Sequence, residues 1–265
     1  MTSIAIINYK NPALLRLCLS SLKRVLSSDF KHEILVVDIA TSPETRNVIK
    51  EFLGTKLLAF KNNIGYTKGV NESIKASSGD YILILNPDII PAAGSIEGLA
   101  SYLASKINIG LAGPRLLNFD GSIQNSCFRY YTPLTILCRR SPLGRTPLGK
   151  KTLAKFMITD KNLNEPTEVE WLMGSAMMVS RKAAYKVGLM DERFFLYMSD
   201  VDWARCFWEN GFKVVYYPHS EMYHYHKRES KGYFGLLDVF MNKQSRWHLI
   251  DAARYFLKYG SKNKF

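Results

Sequence analysis

Three groups of side chains in this sequence of 265 residues have the types and spacing that chemistry requires. Asp88 follows an apolar run and a proline, and a carboxylate fixed there can bind Mg²⁺ or Mn²⁺ while a substrate diphosphate supplies most other ligands. Asp200 and Asp202 stand at the start of a helical segment with diverging side chains, an arrangement that suits a general base and its neighbour. His224 and His226 alternate with tyrosines and therefore share one face of a strand, where either can bind a metal or a phosphate or carry a proton.

Each group also has an interpretation without chemistry. Asp88 can cap a helix predicted over residues 92–103, and Asp200 and Asp202 can cap the helix that they begin. The histidines can be filler in an aromatic strand, which is the interpretation we prefer for His219. On these residues alone both interpretations stay open.

The elements that must position these groups begin with alternating strands and helices in the first 120 residues. Helix starts are predicted at Asn11-Pro12 and at Ser42-Pro43, and a third helix over Lys68–Ala76. The predicted strands are Ser3–Ile7, Glu33–Asp38, Lys56–Phe60 and Tyr81–Leu85. Continuous apolar strands between helices predict an α/β fold with a mostly parallel sheet flanked by helices.

Polar residues follow each of the four predicted strands. They are Asn8 and Tyr9 after the first strand, Asp38 at the end of the second, Asn63 and Gly65 after the third, and Asn86 and Asp88 after the fourth. In a parallel sheet these strand ends lie at one edge, where ligands bind. Any one of them alone is explained by the preference of Asn, Asp and Gly for strand ends and caps.

The remainder of the chain is predicted to form three further parts. Residues 121–159 lose all periodicity and carry seven basic and no acidic side chains, which predicts a basic mobile surface loop. Residues 160–230 contain two strand pieces around Gly174, a short helix closed by Gly211 and another strand, and are predicted to form the catalytic half that meets the acceptor. Residues 231–265 are predicted to form a basic amphipathic helical extension.

The formal charge of +13 is concentrated in two segments, +7 in residues 121–159 and +6 in residues 213–265. A near-neutral body with two basic attachments disfavours a nucleic-acid binder, which would show a steep salt dependence. A hydrophobic content of 47% excludes intrinsic disorder. No apolar run approaches the roughly 20 residues of a membrane span and the start lacks a signal-peptide pattern, so we expect a cytoplasmic protein.

Several enzyme and site classes are disfavoured by absent motifs. The four cysteines have no zinc spacing and predict reduced, buried thiols. The sequence has no Gly-x-Gly-x-x-Gly, P-loop or Gly-x-Ser-x-Gly motif, which disfavours dinucleotide oxidoreductases, P-loop NTPases and α/β-hydrolases.

The order of motifs over residues 3 to 230 resembles glycosyltransferase family 2, and in particular its bacterial rhamnosyltransferase-like members. The motifs are Asn8-Tyr9, Val36-Val37-Asp38, Asn63-Ile64-Gly65-Tyr66, Leu85-Asn86-Pro87-Asp88, Gly113-Pro114-Arg115, Asp120-Gly121-Ser122, Trp171-Leu172-Met173-Gly174, Gly188 to Tyr197, Asp200-Val201-Asp202 and His224. The resemblance implies a GT-A fold, a nucleotide-sugar donor, Mg²⁺ or Mn²⁺, and inversion at the anomeric carbon.

The same resemblance implies roles for individual residues. Asp200 would be the base and Asp202 its support, and Asp88 with His224 would hold the metal. The donor-binding residues would be Asn8, Tyr9, Asp38, Asn63, Gly65, Lys68, Asn86, Asp88, Trp171 and Gly174. The sequence departs from the pattern at Ile39, Ser199 and Cys206, where many relatives have Asn, Glu and Arg.

We therefore predict an inverting transfer of L-rhamnose from dTDP-L-rhamnose to a lipid-linked cell-surface polysaccharide precursor, by an enzyme peripheral on the inner face of the plasma membrane. The alternatives are the same chemistry with a UDP-hexose and a degenerate GT-A domain that only binds a glycan or a partner. The basic segments are expected to face the anionic acceptor and membrane. For the C-terminal helix, packing on the catalytic domain or on a second copy in a homodimer is an equal alternative.

Overall fold

The protein is described by a computed structural model over residues 1–225 and 243–260, where one ten-stranded sheet forms the centre. Its order is β3-β2-β1-β4-β11-β6-β12-β5, with β7 beside β6 and β9 beside β12, while β8 and β10 form a separate pair. The strands are Thr2–Asn8 (β1), His32–Asp38 (β2), Lys56–Ala59 (β3), Tyr81–Leu85 (β4), Ile89–Pro91 (β5), Ile109–Leu117 (β6), Ile123–Gln124 (β7), Cys127–Phe128 (β8), Thr167–Glu168 (β9), Trp171–Leu172 (β10), Ala176–Ser180 (β11) and Lys213–His224 (β12).

The α-helices in the described part begin where capping residues and prolines place them. Asn11 and Ser42 accept hydrogen bonds from the backbone N–H groups of Leu14 and Thr45, which confirms the first two predicted helix starts. The helices are Pro12–Val25 (α1), Pro43–Lys50 (α2), Tyr66–Ala76 (α3), Ser95–Ala104 (α4), Pro133–Arg140 (α5), Pro147–Phe156 (α6), Arg181–Val187 (α7), Ser199–Glu209 (α8) and Lys243–Tyr259 (α9), with a 3-10 helix over Pro142–Arg145.

The prediction of a mostly parallel sheet covered on both faces is confirmed. Strands β1 to β4 are mutually parallel, and β6 and β12 run in the same direction on the far side of the antiparallel β11. Along β1, Ile4 and Ile6 pack with α1, α2 and α4, whereas Ala5 and Ile7 pack with the cluster that includes α3, α7 and α8. Both faces of the strands are therefore buried, as the apolar runs indicate.

The prediction of a loop over residues 121–159 is wrong. This segment forms β7, β8, α5, the 3-10 helix and α6. Its prolines occupy first-turn positions after the capping residues Thr132, Ser141 and Thr146, rather than interrupting a loop. Its aromatic side chains pack on Trp171, a residue distant in sequence, so the elements are too short and too dependent on tertiary contacts to show a helical period.

The C-terminal helix α9 packs against the rest of the domain. Ala252 and Tyr255 are buried on its inner face, and Trp247 stacks on Phe195 with the ring centroids 4.3 Å apart. The structure thus supports packing on the catalytic domain among the alternatives for this helix. Two parts of the predicted helical extension, residues 231–242 and 261–265, lie outside the described residues, and so does His226. None of the described helices has the length and hydropathy of a membrane-spanning segment.

Candidate active site

Asn8 and Asp38 form a buried polar pair at the carboxyl edge of the sheet. They end the neighbouring parallel strands β1 and β2 in register, and Asn8 Nδ2 donates a hydrogen bond to Asp38 Oδ1 over 2.9 Å. Both residues are fully buried, yet Asn8 Oδ1 and Asp38 Oδ2 have no hydrogen-bond partner within the described chain. Because buried polar atoms are normally satisfied, these two oxygens are available as acceptors for a ligand's N–H groups.

The neighbouring strand ends add exposed groups to this edge. Tyr9 is 46% exposed directly after β1, and Lys68 is exposed in the first turn of α3. Asn63 Oδ1 accepts a hydrogen bond from Gly65 N over 2.9 Å, which holds the turn before α3. Asn86 follows β4 and is partly exposed. The residues predicted from four separate strand ends thus follow those strands at a common edge.

Asp88 and His224 come together although 136 positions separate them in the sequence. Asp88 Oδ2 lies 3.5 Å from His224 Nε2, and Asp88 Oδ1 is buried without a hydrogen-bond partner among the described residues. Asp88 does not cap a helix, because α4 begins only at Ser95 with Gly94 as its N-cap. A carboxylate with an unsatisfied oxygen beside an imidazole nitrogen fits two ligands of a divalent cation.

Gln124 orients the His224 ring and was not predicted from the sequence. Its Nε2 donates to Asn118 Oδ1 and to the His224 carbonyl, so its Oε1, 2.9 Å from His224 Nδ1, acts as an acceptor. The Nδ1 atom of a neutral His224 therefore carries the proton and Nε2 turns its lone pair toward Asp88. An outer hydrogen bond of this kind commonly fixes a metal-binding histidine. Among the described residues no group of three or more His, Cys, Asp or Glu side chains is placed to hold a metal, so a substrate would supply other ligands.

Asp200 is held at the start of α8 by backbone N–H groups. Its Oδ2 accepts from Gly174 N over 3.0 Å and its Oδ1 from Val201 N over 2.9 Å. Burial raises the pKa of Asp200 to about 6 despite these hydrogen bonds. The Gly174 carbonyl in turn accepts from the Tyr66 hydroxyl over 2.5 Å, which links the carboxylate to the first turn of α3. An aspartate with this pKa suits proton abstraction near neutral pH.

Asp202 points away from Asp200 and binds the C-terminal helix. It is 1% exposed, and its Oδ1 accepts from Lys258 Nζ over 2.6 Å and from the Tyr259 hydroxyl over 2.7 Å. The two side chains diverge, but the N-cap of α8 is Met198, so neither carboxylate fills the N-cap position. Asp202 stabilises the junction of α8 and α9, and this contact makes the C-terminal helix a support of the candidate base.

Trp171 and Ser199 are interior residues, whereas Cys206 is only partly buried. Trp171 is 4% exposed, stacks on Phe128, and donates its indole N–H to the Arg129 carbonyl, so it presents no unpaired polar atom to a donor. Ser199 is buried at the start of α8, and Cys206 Sγ lies 3.8 Å from the Tyr259 hydroxyl. The departure at Cys206 thus coincides with a contact to α9.

Asp251 on α9 holds the chain segment that leads to Asp200. It is fully buried, and its carboxylate accepts from the backbone N–H groups of Phe195, Leu196 and Tyr197 over 3.4, 3.2 and 3.0 Å. Sequence reasoning missed this residue. One signal was present: Asp251 is the only carboxylate side chain after residue 238, in a segment rich in Lys and Arg.

Phe195 connects the segment before Asp200 to the carboxyl edge of the sheet. Gly65 has a φ of +82°, and a Cβ atom added there would lie 2.7 Å from the Phe195 carbonyl oxygen and 2.8 Å from its ring. Glycine is therefore required at position 65 both for its backbone conformation and for the close approach of Phe195.

Replacing Gly65 by alanine is expected to lower the stability by roughly 1–3 kcal/mol through backbone strain, to lower it further through the clash of the added Cβ with Phe195, and to weaken donor binding through displacement of the turn at Asn63. Gly54→Ala is the matched control, since Gly54 has a φ of +85° but nothing within 4 Å of an added Cβ. Urea unfolding and donor titration of both variants would measure the difference. Equal losses in the two variants would show that the Phe195 contact is irrelevant.

Solved structures with the same fold include glycosyltransferases. A structure of GalNAc-T7 with UDP, GalNAc and Mn²⁺ superposes with a TM-score of 0.65 at 18% identity and covers 84% of this chain, which spans 43% of that chain. The mannosyltransferase PcManGT from Pyrobaculum calidifontis, in complex with GDP-Man and Mn²⁺, superposes with a TM-score of 0.59 at 14% identity over 98% of this chain and 70% of that one. These superpositions show that the chain has the GT-A fold.

The family is shown by a model described as "Glycosyl transferase family 2", which matches residues 3–188. The chain belongs to glycosyltransferase family 2. It is 30% identical over 221 residues to the N-acetylglucosaminyl-diphospho-decaprenol L-rhamnosyltransferase of Mycobacterium tuberculosis, with 78% of this chain and 70% of that protein covered. It is 24% identical to the rhamnosyltransferase WbbL of Escherichia coli K12, with 89% and 86% covered. Within its family the chain thus resembles bacterial rhamnosyltransferases, as the motifs indicate.

Proposed function

We propose that this glycosyltransferase inverts the anomeric carbon as it transfers L-rhamnose from dTDP-L-rhamnose to a lipid-linked precursor of a cell-surface polysaccharide. The observation that carries the proposal is the Asp200 carboxylate, whose pKa is raised to about 6. Two hydrogen bonds, from Gly174 N to Asp200 and from the Tyr66 hydroxyl to the Gly174 carbonyl, connect it to helix α3. The names of the M. tuberculosis and E. coli relatives support the sugar and the lipid-linked acceptor.

Asn8, Asp38 and Asn63 bind the nucleoside end of the donor in this proposal. The single ring N–H of thymine finds acceptors in the unsatisfied oxygens of Asn8 and Asp38, while exposed Tyr9 offers an aromatic face for stacking. Gly65, Lys68, Asn86 and Gly174 belong to the same edge. Trp171 supports this region through packing, because its side chain is buried and hydrogen-bonded.

Asp88 and His224 are the residues that would hold Mg²⁺ or Mn²⁺. The unsatisfied Asp88 oxygen and the orientation that Gln124 imposes on His224 fit this assignment. A bound divalent cation would neutralise the charge that develops on the leaving diphosphate.

Asp200 accepts the proton of the acceptor hydroxyl as that oxygen attacks the anomeric carbon of rhamnose. The carbon–oxygen bond to the nucleoside diphosphate breaks as the new glycosidic bond forms, and attack from the opposite face inverts the configuration. Burial keeps the Asp200 carboxylate basic enough for this transfer. Asp202 keeps α8 in place through Lys258 and Tyr259 and takes no part in proton transfer.

A panel of nucleotide sugars tests the donor and the metal together. We expect dTDP-L-rhamnose with Mn²⁺ to raise the melting temperature most, since a donor at 100 times its Kd adds about 2.7 kcal/mol. Asp88→Asn is expected to abolish the Mn²⁺-dependent part of that shift. Asp80→Asn is the control, because Asp80 pairs with the amino terminus at the start of β4. A larger shift with UDP-hexoses would assign the donor to that class, and stabilisation by no nucleotide sugar would contradict the enzyme proposal.

A further inference from the structure

A cationic cluster lies at the end of α5, in the segment that carries no acidic residue. The Arg139 guanidinium lies 5.6 Å from the centroid of the Tyr131 ring and 5.2 Å from that of Phe156, and it donates to the Tyr131 hydroxyl. In the described ranges no carboxylate forms an ion pair with Arg139. Arg140 follows directly and adds a second positive charge. An arginine fixed on aromatic rings without a carboxylate is suited to bind an anion.

His248 on α9 faces the same cationic cluster. Its ring lies 4.8 Å from that of Tyr197, and its Nδ1 atom is buried without a hydrogen-bond partner in the described part of the protein. Burial, together with the smaller effect of the charges of Arg140 and Arg139, lowers the pKa of His248 to about 3. The imidazole is therefore neutral and lies in a positive potential that an anion would relieve.

This cluster is adjacent to the candidate base. Burial raises the pKa of Tyr131, the Arg139 charge lowers it, and the Asp200 charge raises it, so the phenol lies near both groups. Tyr131 also packs on Trp171, with the centroids 5.4 Å apart, and Trp171 precedes the Gly174 that binds Asp200. From the other side, Tyr197 connects His248 to the segment immediately before Asp200. Asp200 is thus connected to this electropositive region through Trp171 and Gly174 on one side and through Tyr197 on the other.

We propose that Arg139, Arg140 and His248 bind the diphosphate of the acceptor. This inference rests on the proposed function and adds a subsite to it. When the reacting sugar is attached directly to a diphosphate, one sugar ring separates its hydroxyl from its phosphates. A site for these phosphates must therefore lie beside the general base, Asp200. The Arg139 guanidinium supplies paired donors to phosphate oxygens. His248 donates through a nitrogen that becomes protonated when the anion binds.

The experiment uses the full-length protein in EDTA without nucleotide and titrates inorganic pyrophosphate. The readout is the NMR signal of the His248 ring, assigned by its loss in His248→Gln. We expect a saturable shift toward the protonated form. Arg139→Gln combined with Arg140→Gln should weaken binding about tenfold or more, because charge-assisted hydrogen bonds are lost. Lys23→Gln combined with Arg24→Gln removes the same charge from exposed positions of α1 and should leave the affinity unchanged.

Two results would overturn the subsite: a His248 signal that pyrophosphate does not move, or equal weakening in the two double variants. Circular dichroism melting of each variant checks its folding, and Arg140→Gln alone provides a milder change if the double variant unfolds. The donor panel reports separately on the proposed function. A wild-type protein that binds a nucleotide sugar but shows no His248 response would disprove the subsite alone, whereas a His248 response without donor binding would disprove the transferase proposal.

Discussion

Asp200→Asn is expected to lower kcat by about 10²–10⁴-fold, the contribution of a positioned general base, while donor affinity stays within twofold. Gly174 N and Val201 N donate to different oxygens of Asp200, and asparagine keeps one of these two acceptors. One of the local hydrogen bonds therefore survives, whereas the ability to take a proton is lost. Steady-state rhamnosyl transfer and donor titration would be measured on the same preparation. Asp80→Asn, on the exposed loop before β4, is the matched control.

A non-catalytic binding domain predicts the opposite result for this variant. If the protein only binds a glycan or a partner, Asp200→Asn should change no measurable turnover, because the wild type has none. Turnover in the wild type that persists in Asp200→Asn would require a different base. The loss of kcat with retained donor binding is therefore specific to the assigned role of Asp200.

The same residue sets an expected pH dependence. The carboxylate must be ionised to accept a proton, so kcat/KM should fall as the pH drops through about 6, the pKa to which burial raises Asp200. Stability changes in the opposite direction. Because the folded pKa exceeds the unfolded value of about 3.9, the stabilising contribution of protonated Asp200 is complete below that value and is lost as the pH rises through 6.

Asp200→Asn is consequently expected to be at least as stable as the wild type at pH 8. Urea unfolding at pH 5 and pH 8 measures this directly. A variant that loses stability equally at both pH values would show that Asp200 has a structural role instead of a strained, functional one.

Asp251→Ala is expected to lower the free energy of unfolding by about 3 kcal/mol, because removal of a buried charged acceptor leaves several donors unsatisfied. The affected donors are the N–H groups of residues 195–197 and the Arg254 guanidinium. We also expect a reduced kcat, since this segment leads to Asp200 and since Phe195 contacts Gly65. Urea unfolding and steady-state kinetics measure both effects.

Two further variants define the cause of that loss. Asp251→Asn keeps an acceptor of the same shape and should recover part of both stability and kcat. Asp160→Ala removes an exposed carboxylate that pairs with Arg129 and should have a much smaller effect. A wild-type kcat in Asp251→Ala would mean that α9 stabilises the domain without positioning the base.

The sequence by itself determined the N-terminal half of the fold, where the apolar strand pattern and the helix-capping residues indicate the same elements. Continuous apolar strands and capped helices define the parallel sheet, and the polar residues after those strands define its functional edge. Period and capping are local properties of the chain, so Asn11, Ser42 and the four strands are found where they are predicted. The motif order likewise indicates the family that the comparison confirms.

Only the tertiary structure decided how distant residues cooperate. The helices of residues 121–159 depend on packing against Trp171, which no local period reveals. Gln124 beside His224, and Asp251 beneath residues 195–197, act across separations of 100 and about 55 positions. Asp251 binds backbone N–H groups, which every residue type except proline has, so no partner side chain in the sequence indicates this contact. For that physical reason a helix that composition marks as a basic tail is, in the folded protein, a support of the segment that carries Asp200, the proposed base.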